Sequence, residues 1–93
     1  NQELVLAAAS LLRTAGRPAV FASVGTDGVD GPTDAAGAIA DATTVDRVER
    51  RKLSVARVLD DNDSYSLFAA LGDLIVTGPT HTNVGDLQVL LVE

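Results

Sequence analysis

The sequence has no cysteine, methionine or tryptophan, and its 93 residues include only two phenylalanines and one tyrosine. Without cysteine, disulfides, thiolate zinc sites and thiol nucleophiles are excluded. A single histidine, His81, with no cysteine or second histidine beside it builds no ordinary zinc site and identifies no triad base; it reads as a surface loop residue. The single lysine, Lys52, follows no glycine, so there is no Walker-type phosphate loop. No G-x-S-x-G elbow occurs. Gly25, Gly28 and Gly31 are spaced three apart, which does not fit the G-x-G-x-x-G dinucleotide fingerprint. No apolar run approaches the roughly 20 residues of a membrane helix, and the basic start of a signal peptide is missing. These absences predict a soluble domain with no membrane partner, in an ordinary cytoplasmic setting.

Positive charge is also scarce. Seven basic against thirteen acidic side chains give a net charge of −6 and a pI near 4.4, which repels a phosphate backbone and argues against a nucleic-acid partner. Arg47, Arg50, Arg51 and Lys52 form the one basic cluster, and Asp46 and Glu49 are interleaved with it at helical pairing distance, so it reads as a solvated helix face.

What is plentiful is small and aliphatic. Hydrophobic residues make up 46% of the chain and mean hydropathy is +0.21, enough for one core of Leu, Val, Ile and Ala. So short a chain hardly encloses a two-sided active site. It starts at Asn1 without a methionine and enters a helical pattern at once, and the expectation is a segment of something longer.

Leu4, Ala8, Leu11, Leu12 and Ala15 predict a helix over 3–15, with Asn1 as N-cap and Gly16 as stop. Ala19 to Val24 is a near-continuous apolar run of the kind buried on both faces of a parallel sheet, a strand that needs cover on either side. Pro32, Thr33 and Asp34 suit a helix start, which predicts a small-residue helix over 35–42 weakened by Gly37. Further helices are expected from Thr43 or Thr44 to Lys52, from Ser54 to Leu59, and from Tyr65 to Leu71 with Gly72 as terminator and Asp63 or Ser64 as cap. Leu74 to Thr77 and Leu87 to Val92 read as strands, joined by a loop too short for a parallel crossover and so expected to pair antiparallel. The fold class is therefore α/β: a layered domain with a small mixed β-sheet flanked by helices, the sheet being joined by strands from outside this chain.

Two polar loops follow apolar strands. In the first, Thr26, Asp27, Gly28, Asp30, Gly31 and Thr33 lie where open α/β sheets bind ligands, beyond the carboxyl end of a strand and before an expected helix start. Free N–H groups there suit an anion, and the Asp side chains suit Mg²⁺ or a substrate proton. The same residues are ordinary turn chemistry, and Asp27, Asp30 and Asp34 do not follow the EF-hand pattern. The second loop, Gly78 to Asp86, carries the hydroxyls of Thr80 and Thr82 and the Asn83 amide, suited to a carboxylate or phosphate; it too reads equally as a plain connection.

Four stretches in order, Asn1-Gln2-Glu3-Leu4, GTDGVDGPTDAAGA (Gly25 to Ala38), NDSY (Asn62 to Tyr65) and TGPTHTNVGDL (Thr77 to Leu87), resemble the MOFRL domain at the C-terminus of glycerate 2-kinases, a family also labelled hydroxypyruvate reductase. The resemblance spans essentially all of residues 1–93. It implies a longer two-domain enzyme whose N-terminal Rossmann-like domain closes a cleft with this one, using ATP and Mg²⁺ to phosphorylate D-glycerate to 2-phosphoglycerate. On that resemblance Asp27 and Asp30 are the catalytic candidates, either being also a possible Mg²⁺ ligand. Asn1, Thr26, Gly28, Gly31, Thr33, Thr80, Thr82 and Asn83 are the candidates for substrate or nucleotide binding. The glycine-glycine-arginine run that usually precedes the domain is not in the sequence. His81 stands where the family commonly has Gly, and Gly85 where it commonly has Asn, which bears on the backbone of the second loop. A segment of this kind is expected to be inactive alone. The alternatives are a non-catalytic module that binds a small anion or a partner and, ranked lower, an NAD(P)H-dependent hydroxypyruvate reductase.

Overall fold

The computed structural model describes residues 1–29, 33–82 and 84–92. Its elements in chain order are α1 (Gln2–Thr14), β1 (Ala19–Gly25), β2 (Gly37–Asp41), α2 (Thr44–Arg50), α3 (Val55–Asp60), α4 (Ser64–Leu71), β3 (Leu74–Ile75) and β4 (Asp86–Val92). The strands form one sheet in the order β3-β2-β1-β4. The expected layered α/β architecture is present, and the sheet is antiparallel at each of its ladders rather than mixed.

The change from mixed to antiparallel has one local cause. The alanine-rich stretch 35–42 was expected to be a helix on propensity, yet residues 37–41 form β2, paired with β1 from Val20↔Asp41 to Val24↔Gly37. With a strand there, no crossover helix separates β1 from β2, and an antiparallel hairpin-like return is the geometry available. Small residues are required here by proximity. Ala38 and Ala40 are buried beneath α1, and a Cβ on Gly37 would lie 1.8 Å from the Ser23 carbonyl oxygen. Tertiary packing overrides the helix propensity of alanine.

The last two strands also pair differently from expectation. β4 runs along β1 over its full length, from Ala19↔Val92 to Gly25↔Asp86, while the short β3 pairs with β2 through Gly37↔Ile75 and Ala38↔Leu74. They therefore occupy opposite edges of the sheet instead of forming a hairpin.

α1 lies across β1 and β2 and meets α2, α3 and α4. It buries Val5, Leu6, Ala9 and Leu12 into a core completed by Ala19, Ala38, Ala40, Val45, Val48, Val58, Leu67 and Phe68. Leu4 and Leu11, both part of the apolar pattern expected to face inward, are exposed. Arg13 does not sit idle on the surface: its guanidinium donates to Asp46 at 3.3 Å and Glu49 at 2.9 Å, tying α1 to α2. α2 ends at Arg50 rather than at Lys52, and the basic cluster in and after it is partly engaged, with Arg47 paired to Asp73 at 2.6 Å. Ser54 caps α3 as expected, its hydroxyl accepting from the Arg57 N–H, and α4 ends at Gly72 in the left-handed conformation, φ 79°. No helix among the described residues is long and apolar enough to cross a membrane.

Candidate functional site

The carboxyl end of β1 is where both polar loops meet. Gly25 ends the strand opposite Asp86, the first residue of β4, so the loop after β1 and the loop before β4 leave the sheet side by side. They are fastened by threonines. The Thr26 hydroxyl donates to the Gly85 carbonyl at 2.7 Å and accepts from the Val84 N–H at 3.0 Å, while the Thr26 N–H donates to the same Gly85 carbonyl at 3.0 Å. In return, the Thr80 hydroxyl donates to the Thr26 carbonyl and the Thr80 N–H donates to the Asp27 carbonyl at 3.0 Å. Two hydroxyls expected to meet a ligand are thus spent on holding the two loops in one register.

The same junction explains Gly28. Its φ is +85°, and a Cβ there would lie 2.0 Å from the Gly78 carbonyl oxygen, so the position needs both the left-handed backbone and the missing side chain. One carboxylate oxygen of Asp27 accepts the Val29 N–H at 2.9 Å, an Asx-type turn that fixes the side chain at the loop junction. Asp27 is half-buried, whereas Thr80 and Thr82 are exposed.

α1 is anchored to this end. Asn1 was expected to cap the helix, but its side chain makes no cap bond. Instead its amide oxygen accepts from the buried Ser23 hydroxyl and its amide nitrogen donates to Asp86 at 3.2 Å. The start of a 13-residue helix, carrying about half a positive charge, is thereby held beside the two loops. Gln88 of β4 donates to Ser23 at 3.3 Å, and Gln2, buried in the first turn, donates to the Thr33 hydroxyl at 3.1 Å. Beyond Thr33, the Tyr65 phenol donates to Asp34 at 2.7 Å, and this bond raises the phenol above its ordinary value of 10.0.

The structure therefore brings Asn1, Thr26, Asp27, Gly28 and Thr80 to one end of the sheet, with Thr33 tied to it through Gln2. Thr82 accepts from the Thr80 hydroxyl at 3.3 Å through its carbonyl. Asp30, Gly31 and Asn83 lie outside the described residues, as does Pro32. The helix expected after the first loop is replaced by β2, and the nearby helix N-terminus is that of α1. Reading residue types missed Ser23, Gln2, Asp86, Gln88 and Tyr65 as supports. Tyr65 lies in the NDSY stretch, Gln2 in the opening stretch and Asp86 in TGPTHTNVGDL, all of which carry the resemblance, so these three had a signal. His81 adopts φ 61°, in the left-handed region that favours glycine. At Gly85, with φ 103°, an added Cβ would meet nothing within 4 Å.

Among the described residues no group of three or more His, Cys, Asp or Glu side chains could hold a metal ion. Among those same residues the ion pairs of Arg13, Arg47 and Arg57 all lie among the helices or with Asp73, away from this end.

Comparison with known proteins agrees with this architecture. The chain is 45% identical over 92 residues to a D-glycerate 2-kinase of Thermotoga maritima, which covers 99% of this chain and 22% of that protein. It is 39% identical over 98 residues to a human glycerate kinase, covering 99% of this chain and 19% of the relative. A crystal structure of the Thermotoga maritima glycerate kinase superimposes with a TM-score of 0.92 at 44% identity, over 100% of this chain and 22% of that one. The chain thus spans about a fifth of the length of the curated relatives it matches. The MOFRL family model matches residues 1–86, and the chain belongs to the MOFRL family.

Proposed function

We propose that this chain supplies one half of the active site of an ATP-dependent glycerate kinase that converts D-glycerate to 2-phosphoglycerate, the other half coming from a Rossmann-like N-terminal domain of the same enzyme. The observation that carries the reading is the interlocked pair of loops at the carboxyl end of β1, with the Asp27 carboxylate fixed at their junction, in a chain whose glycerate-kinase relatives align along nearly all of it.

Phosphoryl transfer depends on positioning and on neutralising dispersed negative charge. Asp27, or Asp30, accepts the proton of the glycerate hydroxyl as its oxygen bonds to the γ-phosphorus and the bond to ADP breaks. Thr26 and Thr80 hold the loops, and Gly28 lets them approach; Asn1, Gly31, Thr33, Thr82 and Asn83 complete the polar lining for glycerate or nucleotide. Mg²⁺ is ordinarily held by one or two carboxylates together with substrate phosphates rather than by an all-protein cage. That donor set fits a site where, among the described residues, Asp27 belongs to no group of three metal-ligating side chains, and the ion would neutralise phosphate charge there. Arg13, Arg47 and Arg57 pair among the helices or with Asp73; the cationic groups that phosphate needs are expected from the partner domain, and the isolated chain is expected to be inactive.

The test is an assay of the full-length protein that follows ADP release and nicotinamide absorbance together. ADP production that depends on D-glycerate is expected. Nicotinamide consumption without ADP would replace the kinase by a hydroxypyruvate reductase, and glycerate binding with neither signal would leave a binding module.

A further inference from the structure

Among the described residues, one face of the sheet has no helix over it. Strand alternation puts Phe21 and Ser23 of β1 and Ala38 and Ala40 of β2 on the side of α1, where they join the core or bond to Asn1. Val20, Ala22, Val24 and Ile39 then face the other way, and their β4 partners Leu91, Val89 and Leu87 extend the same apolar surface. The helices gather on the side of α1, which α2, α3 and α4 all meet. In β4 every residue is exposed, and Leu87, Val89, Leu90, Leu91 and Val92 are 41 to 65% exposed. Isolated apolar residues on a surface are normal; a contiguous strand of them is not.

The edge is as undefended as the face. β4 is the terminal strand of the described sheet, so one row of its N–H and C=O groups has no strand to pair with. Proteins blunt such edges with lysine, proline, a bulge or short length, and DLQVLLV has none of these over seven residues. The sequence of β1 points the same way: a near-continuous apolar run is the pattern of a strand covered on both faces, and the structure covers one. At the far end of the sheet the face deepens into a hollow of about 490 Å³ lined by Pro18, Val20, Ala42 and Leu91 among others.

We infer that this face and the outer edge of β4 are covered by another part of the same, longer polypeptide, which adds a strand alongside β4 and lays an apolar layer over Val20, Ile39, Val89 and Leu91. The inference rests on the reading of the chain as one domain of a longer protein, and the size of the relatives selects the occupant. They superimpose on all of this chain while it accounts for only about a fifth of theirs, so most of each relative's chain lies outside this domain and can supply its cover. The loop end is polar, the helices bury their own core, and the bare sheet face is the large apolar surface that remains. A second copy of the chain, pairing β4 with β4, is the competing occupant.

Amide hydrogen exchange on the full-length protein decides between them and needs no variant. If a strand is added within the polypeptide, consecutive amides from Leu87 to Val92 exchange at least about a hundredfold more slowly than in free peptide, and protection is unchanged when the protein is diluted about a hundredfold. Protection of alternate amides only, the signature of a strand paired on one edge, overturns the inference. So does protection lost on dilution, which assigns the edge to a second copy. The double substitution Val89→Lys and Leu91→Lys gives an independent readout: a large fall in Tm is expected of covered positions, and an unchanged Tm contradicts cover. None of these readouts uses turnover, so they stand whether or not the protein proves to be a glycerate kinase.

Discussion

The two ends of this sheet are built on different plans. At the carboxyl end of β1, the fastening bonds link residues far apart in sequence: Thr26 with Val84 and Gly85, Thr80 with Thr26 and Asp27, Asn1 with Ser23 and Asp86, Tyr65 with Asp34. At the opposite end they are local. Asp41 accepts from the Thr43 N–H at 2.8 Å and from its hydroxyl at 2.7 Å, and the Asp41 N–H donates to the Thr44 hydroxyl at 2.9 Å, all within one turn. A local turn needs only its own residues to form. A loop pair held by non-local bonds forms only after the whole sheet has assembled, and it then fixes side chains to the precision that positioning a reacting group requires.

A glycine at each end gives the largest contrast. Gly28→Ala forces a side chain into the Gly78 carbonyl and a left-handed backbone at once, and a loss of about 3 kcal/mol is expected in denaturant unfolding. Gly16, near the other end, has φ +74° but nothing within 4 Å of its Cβ. Gly16→Ala therefore incurs the backbone term alone, about 1 kcal/mol. Equal losses would mean that the loops separate easily and that the close approach at Gly28 matters little.

A smaller effect is expected of Thr26→Val, which keeps the shape and removes the hydroxyl. The Val84 N–H loses its acceptor and the Gly85 carbonyl loses one donor, a loss of about 1 kcal/mol at this exposed site, with faster exchange at Val84 as the local readout. The conservative Thr26→Ser restores both bonds.

The smallest effects are in pH dependence, and their signs differ between the ends. The Thr43 hydroxyl, and then its N–H, hold the Asp41 carboxyl below its ordinary value of 3.8. A depressed folded value gives stability that is present above 3.8 and is lost as pH falls through the folded value. The bond to Asp34 raises Tyr65 above 10.0, so its contribution is present below 10 and is lost as pH rises through the folded value. Asp41→Asn should flatten the acid limb of a stability profile and Tyr65→Phe the alkaline limb; a swap of the two limbs would refute both assignments.

Much of this fold was legible in the sequence because local chemistry decides it. Ser54 as a cap, Gly72 as a terminator and the apolar run of β1 mark their elements directly. The stretch 35–42 was not legible, since alanine and Gly37 are there for closeness to α1 and Ser23, a demand that a single sequence does not display. The edge positions of β3 and β4 were hidden for the same reason, pairing being non-local. At the candidate site, residue types singled out the two loops that the structure brings together, but not the structural use of the Thr26 and Thr80 hydroxyls. The supports Ser23 and Gln88 carry no sequence signal of their own.

The most direct measurement compares two carboxylates, one at each end of the same sheet, in the full-length protein. Glycerate-dependent ADP release should fall by about a hundredfold or more in Asp27→Asn, the loss expected of a group that moves the proton of the reacting hydroxyl, while Asp41→Asn leaves turnover unchanged. Equal turnover in the two variants would contradict the assignment of the loop end as the catalytic half-site.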